Sequence, residues 1–314
     1  MTERAIDDMT SFVNQYNLEI LSKMGEGGFG CVYKARDITN EQEYAVKQIK
    51  LPIDKQNINC RQLDQFVAEM DCLKNLDSKY VVQYISATIG HENYYYIIME
   101  LCSDSLTKIL EHKPQVFHRK PKELMNSIEF YISCHIFKEL LECVQYLHEL
   151  DPPVIHRDLK PDNILVALNV RNGRYFKLGD FGLATVHDRN IHSMTNNKHT
   201  GDVGDTGYQA PEVVFNEKYD HRVDIYSLSK IGEKIFGLNF NDKLTNNEVI
   251  RKRVVKLQDL LQSMSYYNWD HPHKPGPHWK DRPDCSQVLS EYNLWSIHKS
   301  YIESDLMDNF ISSA

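Results

Sequence analysis

The chain changes its hydrophobic rhythm once. Up to about Leu101, apolar residues come in short runs rich in β-branched and aromatic side chains. The runs Tyr16–Met24, Gly30–Asp37, Glu43–Leu51, Val81–Ile89 and Tyr94–Leu101 predict strands. One helix interrupts them: Leu63, Phe66, Val67, Met70, Leu73 and Leu76 step by three or four and share a face. After Asp104 the pattern is mostly helical. Ile136, Leu140, Val144 and Leu147 form one face, and Ile225, Leu228, Ile231 and Ile235 another. The pattern predicts an α+β fold, a small β-rich lobe joined near Glu100–Ser105 to a larger helical one. A cleft between two lobes is a favoured place for a small-molecule site.

Composition narrows the class. The 314 residues carry 36 Lys and Arg against 44 Asp and Glu, a net charge of −8, with 41% hydrophobic and 25% charged residues. These are globular values, and no run approaches the roughly 18 apolar residues of a membrane span. The opening MTERAIDDMT lacks the apolar core of a signal peptide. Seven cysteines without CxxC spacing point to reduced thiols, hence a cytoplasmic or nuclear setting. The negative balance does not favour general nucleic-acid binding, so neither nucleic acid nor membrane is expected as a partner.

Three segments carry candidate chemistry. Gly25-Glu26-Gly27-Gly28-Phe29-Gly30-Cys31-Val32 has glycines spaced to let a backbone approach phosphate oxygens, although a plain glycine-rich hairpin fits it as well. A dinucleotide fold would need a helix directly afterwards, whereas Cys31–Ala35 reads as a strand. Lys47 stands in the apolar strand Tyr44-Ala45-Val46-Lys47, where a cation needs a partner; Glu69, in the middle of the apolar helix, is the candidate. A lysine at a sheet edge and a solvated glutamate are the ordinary readings. The decisive run is His156-Arg157-Asp158-Leu159-Lys160-Pro161-Asp162-Asn163, followed in order by Asp180-Phe181-Gly182 and Ala210-Pro211-Glu212.

With these motifs in this order, the chain from about Tyr16 to Leu289 resembles the eukaryotic protein kinase family, Ser/Thr type. The resemblance implies a bilobal kinase fold: a flank over 1–15, a small lobe over 16–100, a hinge over 100–105, a large lobe over 106–290 and a helical tail over 291–314. It implies ATP and Mg²⁺ as cofactors and a protein substrate. Met24, Gly25, Glu26, Gly27, Gly28, Phe29, Gly30, Cys31 and Val32 would cover the phosphates, and Lys47 would hold them while pairing with Glu69. Met99 would line the back of the adenine pocket. The backbones of Glu100 and Cys102 would bond adenine, and Val32, Ala45 and Leu165 would sandwich it. Asp158 would orient the attacking hydroxyl, Lys160 would neutralise the transferring phosphoryl group, and Asn163 and Asp180 would hold Mg²⁺. Asp224 would brace the catalytic loop and Arg282 would pair with Glu212. The alternatives are a pseudokinase scaffold that binds nucleotide and partners without catalysis, a kinase of Tyr or dual specificity, and a small-molecule kinase.

Some features depart from the family pattern. Asp205 occupies the position of the usual Thr before Ala210-Pro211-Glu212, a change shared with Wee-type kinases. The segments around His199-Thr200, Tyr219–Leu228 and Asp281–Pro283 faintly resemble kinases of translation initiation factor 2. Ser229 stands where Gly is usual. The basic insert His112–Lys122 reads as a solvated segment or as a docking surface for an acidic partner. Ser193, Thr195, Thr200 and Thr206 make the polar segment 193–206 a candidate for phosphorylation, by an activating kinase or by the chain itself, with Arg157 as the phosphate's partner.

Overall fold

A computed structural model describes residues 12–27, 30–50, 74–89, 94–120, 123, 125–171, 173–181, 185–186, 207–215, 217–237, 248–266 and 278–302. The fold is α+β. It comprises two compact units, Met1–Ser103 with Leu165–Gly182, and Asp104–Ile164 with Leu183–Ala314.

The first unit is built on a five-stranded antiparallel sheet of β1 (Leu18–Gly27), β2 (Gly30–Asp37), β3 (Glu43–Lys50), β4 (Tyr84–Ile89) and β5 (Tyr94–Glu100), in the order β1-β2-β3-β5-β4. Period-two alternation divides its side chains. One face buries Leu18, Tyr33, Ala35, Val46, Tyr96 and Ile98, capped by Phe12, whose ring stacks on Tyr96 at 4.2 Å. The register puts Val32, Ala45, Lys47, Ile97 and Met99 on the opposite face. Two expectations shift. β1 runs past Met24 through the first glycines, because Gly25 and Gly27 pair with Val32 and Gly30. Val81–Gln83 stand outside β4: Val82 N–H donates to Leu178 O at 2.9 Å, and Gln83 N–H to the Glu100 carboxylate at 2.6 Å. The helix expected over Leu63–Leu76, with Glu69, lies outside the described residues as far as 73.

In chain order the later strands are β6 (Cys102–Ser105), β7 (Val154–Ile155), β8 (Ile164–Arg171), β9 (Arg174–Leu178) and β10 (Thr185–Val186). β6, β8 and β9 form a three-stranded sheet, and β7 pairs with β10. The sequence pattern after Asp104 predicts mostly helices, and the structure adds these strands. β6, β7 and β10, of two to four residues, are too short to announce themselves by period, whereas β8 is as long as β2 and strand-like in composition.

The second unit is helical: α1 (Leu106–Val116), α2 (Ser127–His148), α3 (Pro211–Val214), α4 (Arg222–Phe236), α5 (Glu248–Met264), α6 (Cys285–Ser290) and α7 (Tyr292–Trp295). Asn126 caps α2 by accepting Glu129 N–H at 2.8 Å. The expected face Ile136, Leu140, Val144 and Leu147 is buried, as is that of α4. α4 is buried on most of its surface. A Cβ on Gly232 would lie 2.6 Å from Leu261 of α5 and 3.1 Å from Phe137 of α2, so glycine sets the closeness of these helices. α4 ends at Gly237, whose φ of 59° is the left-handed cap that glycine favours. Ser229 is accommodated by donating to Tyr226 O at 2.7 Å.

The basic insert is not wholly solvated, although His112, His118 and Lys120 are exposed. Lys113 is 4% exposed. Its ammonium donates to Ser133 Oγ at 2.8 Å and to the carbonyl of Ile235 near the end of α4. It also faces the fully buried Glu129 at 3.7 Å, with Arg119 on that carboxylate at 3.1 Å. A helix C-terminus attracts cations, and Lys113 supplies one from another helix.

Candidate active site

The first unit positions the nucleotide candidates. The glycine segment is the β1–β2 hairpin, with Glu26 opposite Cys31; its tip, Gly28 and Phe29, lies outside the described residues. Gly30 has φ +124°, and a Cβ there would sit 1.9 Å from Gln48 O. Only glycine lets β2 pass β3 at this point. Gly25 has nothing within 4 Å of a hypothetical Cβ, so its backbone is uncovered. Met24 is exposed, and Glu26 is exposed with its carboxylate paired to Lys23, which holds it below the usual carboxylate range.

Lys47 is buried, opposite Val32 on one side and Ile97 on the other. Its ammonium lies 2.5 Å from Asp180 Oδ1. Glu69, its expected partner, is outside the described residues. Asp180 has φ +54°, an uncommon backbone state for a residue with a Cβ that persists only where neighbours impose it. Ala45 stands opposite Met99 on the same sheet face. Leu165 on β8 touches the strand leading to Asp180: a Cβ on Gly179 would lie 2.9 Å from Leu165 Cδ1. Glu100 donates its N–H to Gln83 O at 2.9 Å, so its carbonyl is the backbone group it can offer an adenine. Cys102 is buried, and burial, with the Glu100 charge, pushes its thiol up to about 12. The thiol is therefore neutral and not a nucleophile.

The second unit holds the catalytic-loop candidates together. Lys160 Nζ lies 3.1 Å from Asp158 Oδ2. Asn163, at the end of the 3-10 turn Pro161–Asn163, donates its amide to Asp158 O at 2.8 Å and to Asp158 Oδ2 at 2.9 Å. With that nitrogen engaged, the amide oxygen is the atom suited to a cation. Asp224 accepts the N–H groups of His156 and Arg157 at 2.9 Å each, and His148 Nε2 lies 2.9 Å from the same carboxylate. These bonds hold Arg157 at φ +66° directly before Asp158. Burial pushes the Asp224 carboxyl up, but the His148 bond and charge and the His156 contacts outweigh it and hold it low. Arg282 grips Glu212 through two bonds, at 2.5 and 2.9 Å, both side chains being fully buried.

Asn163 and Asp180, the two magnesium candidates, belong one to each unit. An amide oxygen and a carboxylate are the hard donors Mg²⁺ takes. Among the described residues no group of three or more His, Cys, Asp and Glu could hold a metal by itself. Asp205, Gly182 and the segment 193–206 lie outside the described residues. Sequence reasoning missed His148, which ends α2 and looks like a basic residue at a helix terminus; only the packing of α2 beside α4 shows its partner.

The sequence model of the protein kinase domain matches residues 18–306. The chain is 31% identical over 210 residues to serine/threonine-protein kinase 1 of Arabidopsis thaliana, covering 67% of this chain and 22% of that one. It is 30% identical over 214 residues to the probable serine/threonine-protein kinase zyg-1 of Caenorhabditis elegans, covering 67% and 26%. With the interferon-induced, double-stranded RNA-activated protein kinase of Mus musculus it shares 26% identity over 304 residues, covering 89% and 51%. The matched part of the chain therefore spans between about a fifth and a half of these relatives' lengths.

Proposed function

We propose that this chain, which belongs to the protein kinase domain family, transfers the γ-phosphoryl group of ATP to serine and threonine hydroxyls of protein substrates. Phosphoryl transfer asks little covalent chemistry of the protein; it asks for alignment and for neutralisation of charge. Asp158 accepts the hydroxyl proton and orients the attacking oxygen. Lys160 carries positive charge to the transferring group and fixes the Asp158 carboxylate. Lys47 holds phosphate oxygens, with Asp180 keeping its ammonium in place until nucleotide binds. The hairpin of Gly25, Gly27 and Gly30 offers backbone N–H groups. Ala45, Val32, Met99 and Leu165 supply apolar surface to the base, and Glu100 and Cys102 supply backbone polar groups. Magnesium, bound by the oxygens of Asn163 and Asp180, would offset the negative charge of the phosphates.

The observation that carries this reading is the cluster of Asp158, Lys160 and Asn163, held by backbone bonds to the buried Asp224. It supports an active enzyme over a nucleotide-binding scaffold, because a scaffold has no use for a carboxylate fixed between a cation and an amide. Phosphorylation within 193–206, by another kinase or by the chain itself, would give the Arg157 guanidinium an anionic partner. The test is radiolabelled ATP with a peptide library, followed by phosphoamino-acid analysis. Phosphoserine and phosphothreonine are expected. Asp158→Asn should lower turnover by roughly 10²–10⁴-fold with nucleotide affinity unchanged. Nucleotide binding without transfer by the unaltered chain would establish the scaffold instead.

A further inference from the structure

In β9, Phe176 and Leu178 are buried, and alternation turns Lys177 to the other side, where a solvated lysine is the ordinary outcome. Instead its side chain is 14% exposed and its ammonium lies 2.5 Å from Glu100 Oε1. The same oxygen accepts Gln83 N–H at 2.6 Å, and Glu100 N–H donates to Gln83 O at 2.9 Å. Both backbone polar groups of Gln83 are therefore bonded to Glu100. Just before Gln83, Val82 N–H donates to Leu178 O at 2.9 Å and Leu178 N–H to Tyr80 O at 2.9 Å, around the Val81–Leu178 bridge. The bonds close a ring: Glu100 to Gln83, along the chain to Tyr80, across to Leu178, and from Lys177 back to Glu100. Asp180 follows Leu178 by two residues. Gly179, between them, lies against Leu165 and Val82 so closely that a Cβ would be 2.9 Å from the first and 3.5 Å from the second.

From this ring we infer that Lys177 is a positioning residue that couples the seating of adenine at Glu100 to the placement of Asp180. The inference rests on the kinase reading, in which the Glu100 backbone meets the base and Asp180 meets magnesium. Lys177 provides the ring's side-chain link. It neutralises a carboxylate that is 24% exposed and that would otherwise rely on the Gln83 N–H alone among the bonds of the ring. Without it, the ring that ties the end of β5 to the end of β9 is left with the bonds of the 80–83 segment. A small shift of either end then moves a nucleotide contact, at the base or at the metal.

The experiment is calorimetric titration of ADP, with and without Mg²⁺, into the full chain and its Lys177→Met and Lys177→Arg variants, beside steady-state kinetics. Lys177→Met should weaken Mg-ADP binding about tenfold and raise the KM for ATP by a similar factor, with kcat changed much less. The loss should be smaller for ADP without Mg²⁺, because Asp180 then has no magnesium contact to lose. Lys177→Arg, which keeps the cation and reaches the same carboxylate, should restore most of the affinity. A merely structural lysine would lower the melting temperature without this split. Wild-type Mg-ADP affinity in Lys177→Met, or equal losses with and without Mg²⁺, overturns the coupling. If Lys177→Met fails to fold, Glu100→Gln, which keeps an acceptor for Gln83, must show the same Mg²⁺-dependent loss or the inference falls. Failure of the unaltered chain to bind any adenine nucleotide would sink the kinase reading itself, a result distinct from the others.

Discussion

Replacing Lys113 with methionine tests which force dominates a buried charge cluster. The Lys113 ammonium is held among Ser133, the Ile235 carbonyl and Glu129 at 4% exposure. Burial, only partly offset by Glu129, lowers its pKa from 10.5 to about 8. The folded chain therefore gives up this proton above about 8, while the unfolded chain keeps it until about 10.5. Between those values the unfolded state binds more protons, so stability rises with pH. The whole shift corresponds to about 3 kcal/mol of disfavoured charge at neutral pH, of which about 2 kcal/mol is recovered by about pH 9.5. Lys113→Met has no proton to lose there. Urea unfolding can be followed by tryptophan fluorescence, with Trp279 and Trp295 buried in the second unit. Between about pH 7 and about pH 9.5, the wild-type-minus-variant stability should move by about 2 kcal/mol in favour of the wild type. Titrating groups away from Lys113, including Cys102 and Cys285, cancel in the difference. A difference that stays constant, or that moves toward the variant, would refute the reasoning; the latter would mean that attraction to Glu129 outweighs desolvation.

Three further outcomes are expected. Gly30→Ala, which places a Cβ 1.9 Å from Gln48 O at φ +124°, should destabilise the chain by about 2 kcal/mol or more, whereas Gly25→Ala, with open space, should stay within about 1 kcal/mol; equal melting temperatures would contradict this. Asp180→Asn should weaken Mg²⁺-dependent nucleotide binding in calorimetry, and unchanged Mg-ADP affinity would remove Asp180 from the metal site. Burial, then the charges of His148 and Arg222 against those of Asp220 and Asp224, lowers the His221 pKa. The unfolded chain then takes up this proton first as pH falls below about 6.5, so stability declines there. His221→Gln should flatten that decline in urea unfolding between about pH 7 and 5.5, and identical slopes in both proteins would rule the residue out as its source.

Much of the fold is written in local period. β2 has the bounds the alternation predicts, β3 and β5 differ by a residue, and the helical faces of α2 and α4 are the buried ones. Those signals survive because a strand or helix repeats its geometry every two or 3.6 residues, whatever surrounds it. The grouping of Asp158, Lys160 and Asn163 was legible for a different reason: they fall within six consecutive residues, which cannot separate far. Arg282 and Glu212 were legible only through the family resemblance, since 69 residues stand between them.

The tertiary structure alone decided the partners of charged residues on different elements. Lys113 reads as one lysine of a basic run, while nothing in the sequence singles out Lys177 or His148. Each is bonded across a long stretch of chain to Ile235, Glu100 or Asp224. Sequence carries no mark of this, because a solvated lysine and a buried, paired one are the same residue with the same local propensity. What distinguishes them is the desolvation imposed where two elements cross, and the crossing is a property of the packed chain and not of any segment of it.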